Sequence, residues 1–227
     1  MRNVVTLLIT LICGACSAMQ PHADAGGETK DAWVSKMEIA ELVNRWGYFR
    51  DQSRWTELLD AFHPDGSISV SWYDGPYGEF VSQSRQLAEA HRDMVIKHQV
   101  GVPMIEVNGN RGLSEASVTI SVRSSTPGGI FEQTSYARFI DRVERRGGRW
   151  RLLRRDTVYE RDRLDAVDRA TLPDSFYKDL DRYPAQVMFL ASTIKRRGAE
   201  ISKSTLLAGT AQVARVYSDN DAWLRGE

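Results

Sequence analysis

Cysteine is nearly absent from this chain of 227 residues: the two present, Cys13 and Cys16, both lie at the N-terminal end. Beyond them there is no thiol, which excludes a cysteine nucleophile, a thiolate metal site and a disulfide in the main body of the protein. A charge excess is also missing, with 30 Lys and Arg against 30 Asp and Glu. A nucleic-acid binder normally carries a basic surplus, so nucleic acid is not expected as a partner. The local arginine cluster "ERRGGRWRLLRRD" (144–156) alternates with apolar residues across a hairpin and reads as a solvated sheet face. Histidine is scarce, at four residues, and no His, Asp or Glu set has metal-ligand spacing. There is no Gly-rich phosphate loop, no GxSxG elbow and no internal repeat. Neither a metal nor a cofactor is expected.

What is present begins with a targeting segment. "MRNVVTLLITLICGACSAMQ" has one early positive charge, an apolar stretch from Val4 to Ile12 and then small residues. That stretch is too short to span a bilayer and fits the central region of a secretory signal. "CGAC" resembles a bacterial lipoprotein box, with Cys13 where leucine is usual, and Cys16 would then carry the lipid. Ordinary cleavage near Ala18 or Ala25 is the alternative. The expected layout is a signal peptide over 1–18 and a polar linker over 19–34. Export across the bacterial inner membrane follows, to a periplasmic or a lipid-anchored state.

From Met37 the apolar pattern turns helical, through Ile39, Leu42, Val43, Trp46 and Phe49. After "DQS", Ser53 is expected to cap a second helix with Trp55, Leu58, Leu59 and Phe62 on its apolar face, ended near Pro64. "SISVSWY" (67–73) alternates as a strand, "DGPYG" (74–78) reads as a turn, and 84–95 as a third helix. Strand-like runs follow at 97–107, 114–123, 130–144 and 149–159, separated by "NGN", "TPGG" and "RRGG". Ala116, Val118, Ile120 and Val122 keep the strict alternation of a sheet with one buried face. Ile96, Val100 and Val102 suggest a buried strand, in which His98 is an unusual choice.

Helices followed by an antiparallel meander define an α+β domain over 35–165, its helices packed on one face of a curved sheet. Residues 166–227 form a C-terminal helical extension, with helical stretches near 176–197 and 210–224, that caps the domain or builds a subunit contact.

Three segments, in this order, carry a family likeness. "RDQSRWTELLDAFHPDGSISV" resembles the start of SnoaL-like domains in the nuclear transport factor 2-like superfamily, "KHQVG" resembles their His-x-x-Gly strand start, and "YARFIDRVERRGGRWRL" their closing hairpin. The resemblance implies a cone-shaped α+β barrel with a deep apolar pocket between the sheet and the first helices. Enzymes of this type include scytalone dehydratase and a hexachlorocyclohexane dehydrochlorinase. In them an aspartate ending helix one pairs with a histidine starting a strand, which implies Asp51 and His98 here.

A neutral imidazole can take a proton near neutral pH, and an aspartate on its far nitrogen fixes the tautomer. The implied activity is a lyase or isomerase acting by proton abstraction from a small hydrophobic molecule. Tyr48, Trp72 and Tyr77 are candidates to line the pocket, Val70 stands where scytalone dehydratase has a pocket tyrosine, and Arg138 is a candidate to hold an anion. Arg123, by alternation, points away. No histidine follows His98, so the second histidine of scytalone dehydratase has no counterpart. Two other readings stand beside the enzyme: a ligand-binding module without catalysis, with His98 a core histidine, and an assembly domain. A homodimer or other homo-oligomer is ordinary for this fold.

Overall fold

The computed structural model describes residues 29–126, 128–168 and 171–227; the signal segment and most of the linker lie outside them. Helix α1 spans Lys30–Asp51, starting ahead of Met37 and inside the expected linker. Thr29 caps it, its Oγ1 accepting from the Ala32 amide at 3.2 Å. Ile39, Val43, Trp46, Gly47 and Arg50 form its buried face, at the three- and four-residue spacing of one helix side. Helix α2 is short, Trp55–Asp60. Ser53 does not cap it: that residue sits at φ 54 in the left-handed region, turning the chain sharply between the two helices.

Strand β1 begins at Phe62, earlier than expected, and runs to Val70; β2 covers Tyr73–Pro76. The expected turn at 74–78 is thus partly strand and partly the start of helix α3 (Tyr77–Ala90), with Pro76 at its N-cap. Residues 97–107 are not one strand. β3 (Val95–Val100) and β4 (Met104–Asn108) flank Gly101–Pro103, and Val102 is 93% exposed instead of buried. The long strands β5 (Arg111–Thr126), β6 (Gly129–Arg146) and β7 (Arg149–Ala166) form the expected meander.

The sheet runs β2-β1-β7-β6-β5-β3, with β4 also on β5 and β8 on β7. It is curved and unclosed, and it is mixed: β1 joins β7 in parallel, as does the two-residue β8 (Leu206–Leu207). Apolar alternation marks which face is buried but carries no strand direction, so the sequence reads the same either way. Register shifts at Tyr136/Ala137 and Arg142/Val143 bend β6 against β7. Helices α1 and α3 fill the hollow of the curve, their Ile39, Val43, Trp46 and Phe80 packing with Val118, Phe139 and Leu152.

The extension is less helical than expected. Two 3₁₀ turns, Asp174–Phe176 and Leu180–Arg182, precede helix α4 (Met188–Arg196), and α5 covers Ala211–Arg225. Its parts take different sides of the sheet. α5 and β8 bury Ile140 and Val158 with Leu206 and Val213, while Leu190 of α4 packs against the main core.

Candidate functional site

α1 and β3 cross where Gly47 replaces a side chain with a hydrogen. A Cβ there would lie 3.2 Å from Val100 Cγ2 and 3.5 Å from His98 Cβ. This close approach lets Asp51, one turn further along α1, reach His98 in the middle of β3. Asp51 Oδ1 stands 2.6 Å from His98 Nδ1, and Oδ2 accepts the His98 backbone N–H at 2.9 Å. Lys97 Nζ is a further 3.4 Å neighbour of Oδ2. Both acidic and imidazole side chains are nearly sealed from bulk water, at 2% and 9% exposure.

A carboxylate at Nδ1 calls for the tautomer with its proton there, which leaves Nε2 as the basic nitrogen. No hydrogen bond occupies Nε2 among the described residues, and the ring forms part of a cavity wall. Burial pulls the imidazole below its usual range; Asp51 opposes this, and the nearby Arg50 and Arg155 cations add to it. The net direction is down, so His98 is neutral at neutral pH and can accept a proton. The Trp46 ring meets the imidazole edge-on at 5.5 Å and is itself held by a hydrogen bond from Nε1 to Tyr77 Oη at 2.9 Å.

The cavity has a volume of about 730 Å³. Its walls are largely apolar and aromatic, with Trp46, Val70, Trp72, Phe80, Ile120 and Phe139 contributing. Trp72 and Phe80 stack at 5.2 Å between centroids. Leu190, Ile194 and Ala199 of the extension close part of it, as do Arg197 and Glu200. A second, smaller cavity of about 350 Å³ adjoins, sharing His91, Met94 and Arg197.

The expected pocket residues separate accordingly. Val70 and Trp72 are in the wall. Tyr48 is not: it is 63% exposed, with the Lys97 ammonium 5.0 Å over its ring. It lies two positions from both Trp46 and Arg50 and so faces the other side of α1. Tyr77 is core, stacked on Phe62 at 3.5 Å and donating to the Leu58 carbonyl at 2.7 Å. Arg138 is on the opposite sheet face, paired with Glu115 at 2.6 Å and Glu160 at 2.7 Å and bonded to Tyr217 of α5. Its register next to Phe139 turns it away from the cavity.

Several polar groups in the wall were not singled out from the sequence, Gln133, Ser135 and Arg50 among them. Gln133 and Ser135 of β6 are buried and joined by a 2.9 Å hydrogen bond. Arg50 is also buried and in the wall. The sequence did carry a signal for it: Arg50 continues the Val43–Trp46–Gly47 face. Among the described residues no group of three or more His, Cys, Asp or Glu side chains gathers to hold a metal ion.

Helices laid in a curved, unclosed sheet, with a cavity between them, define a cup-shaped α+β fold. Within it, residues 33–156 match the SnoaL-like domain, and the chain belongs to that family. Pea pathogenicity protein 2 of the fungus Fusarium vanettenii is 25% identical over 161 residues, 70% of this chain and 68% of the fungal one. A PEP2-like protein of the same fungus matches to the same extent. Among solved structures, a candidate scytalone dehydratase from Novosphingobium aromaticivorans superposes with a TM-score of 0.50 at 16% identity. It covers 63% of this chain and 95% of its own, a likeness of fold alone.

Proposed function

We propose that the protein is a small-molecule lyase or isomerase acting on a hydrophobic compound inside the cavity. The observation that carries this is the 2.6 Å pairing of Asp51 Oδ1 with His98 Nδ1 beside an apolar cavity. His98 Nε2 takes a proton from a substrate carbon adjacent to an activating group. The C–H electron pair forms the new C=C bond, and the bond to the leaving group on the next carbon breaks. A departing hydroxyl takes the proton back from His98 and leaves as water; a departing halide leaves with the electron pair and His98 loses its proton to solvent. Asp51 holds the ring and stabilises the imidazolium between these events, a base of a kind that contributes typically ~10²–10⁴-fold. The signal reading of residues 1–18 places this chemistry outside the inner membrane, in solution or tethered through Cys16.

The test is a panel of ring-bearing β-hydroxy and β-halo carbonyl compounds incubated in deuterated water. NMR would follow both elimination and exchange at the α-carbon. Wild-type protein is expected to exchange the α-proton of at least one compound, with His98→Gln inert and still folded. Equal exchange by the variant would sink the base assignment and leave the cavity as a binding site.

A further inference from the structure

The Arg50 guanidinium is buried in the cavity wall, 7% exposed. Among the described residues it has neither an ion-pair partner nor a hydrogen-bond acceptor. Its recorded contact is with the Trp55 ring, whose centroid lies 5.6 Å from Cζ. A cation–π contact engages the charge and leaves the N–H donors unspent. The adjacent Asp51 is committed to His98 and Lys97. The other cations near the cavity differ. Arg155 is clasped by Asp141 through two 2.7 Å bonds, its remaining Nη1 buried without a partner, and Arg197 donates to Ser124 Oγ at 2.6 Å.

A cation held largely out of bulk water without a hydrogen-bonded partner is costly, and a ligand anion in the cavity would supply the counter-charge. Burial also bears on Arg50 itself, lowering its proton affinity, with the neighbouring Asp51 charge and Tyr77 opposing it in part. We propose that Arg50 is the anion-holding group of the cavity, so that the ligand is an apolar ring compound bearing an anionic oxygen rather than a neutral hydrocarbon. Planar N–H donors suit a carboxylate or an enolate, each with oxygens that accept in the guanidinium plane. In the elimination reading the same group neutralises the charge that proton loss to His98 leaves on the substrate oxygen. The inference rests on the cavity being a ligand site, as proposed above, but not on His98 acting as a base.

Two fluorescent probes of the same ring skeleton test it: anilinonaphthalene sulfonate, an anion, and phenylnaphthylamine, its neutral counterpart. Wild-type protein is expected to bind both in competition and to favour the anion by about tenfold or more. Arg50→Met should erase that preference while phenylnaphthylamine affinity stays, which also shows the cavity is folded. Arg50→Lys should keep part of it. His98→Gln should keep the preference even though turnover is lost, so failure of the base does not imitate failure of the anion site. An unchanged preference in Arg50→Met, or its loss in Arg197→Met instead, overturns the assignment. Failure of both probes to bind wild-type protein overturns it too, together with the ligand-site reading.

Discussion

Two arginines share the interior of this protein and differ in what surrounds them. Arg155 and Asp141 are both fully buried and bonded at both ends of the carboxylate, with the guanidinium 4.0 Å from the Phe139 ring centroid. Removing one partner strands the other charge, so Asp141→Asn is expected to destabilise by about 3–5 kcal/mol in urea unfolding. Arg50 has no such hydrogen-bonded partner, only the nearby Asp51 charge, and Arg50→Met exchanges it for an apolar side chain of similar length. It is expected to leave the melting temperature unchanged or raise it, a gain in stability bought with lost ligand preference. A fall as large as that of Asp141→Asn would mean that Arg50 holds the fold instead. The sequence hid this contrast. Arginine at a helix end reads as solvated, and only the unbroken face from Val43 through Arg50 distinguishes it. The contact between Asp51 and His98 was legible because a pattern of known order put the two residues together. Arg138 misled because its type suited an anion site while its register turned it outward.

At the scale of elements, the crossing of α1 over β3 depends on Gly47 more than on any contact it makes. Its missing Cβ brings the helix to within van der Waals distance of Val100 and His98. Gly47→Val would add three carbons where one already meets Val100 tightly. Over-packing of this kind costs about 1–3 kcal/mol, and the displaced helix carries Asp51 away from Nδ1. The expected result is modest destabilisation in a thermal melt with a much larger loss of turnover or α-proton exchange. Stability and activity falling together in proportion would contradict it. The meander β5–β7, with its strict alternation and glycine turns, was legible from residues alone, and so was the buried face of α1. α3 was placed too late because "DGPYG" has turn chemistry, although a proline directly before Tyr77 also suits a helix start. The parallel joining of β1 and β8 to β7 is set by distant partners, and no local pattern encodes it.

At the scale of the whole molecule, the extension closes part of an open cup, and a carboxyl at its attachment point is shifted by burial. Asp162 of β7 accepts the Leu190 N–H at the start of α4 at 2.7 Å, while its other oxygen is buried without a partner. Burial raises this carboxyl from 3.8 to about 6. The folded protein therefore holds a proton that the unfolded chain has lost between those values, and this group makes stability fall as pH rises through that window. His98 acts in the opposite sense. Its folded value lies below the unfolded 6.5, so the unfolded chain takes up a proton first and stability falls as pH drops below about 6.5. The two slopes oppose each other over part of the acid range and flatten the curve of the intact protein. Single variants should separate them in thermal melts run from acid to neutral pH. Asp162→Asn keeps an oxygen for Leu190, removes the desolvated charge, and is expected to melt higher than wild type at neutral pH, the gap closing toward acid. His98→Gln removes the other slope, so its melting temperature should hold up better than that of wild type as pH falls below 6.5. Parallel curves for wild type and both variants would show that neither group couples its protonation to folding.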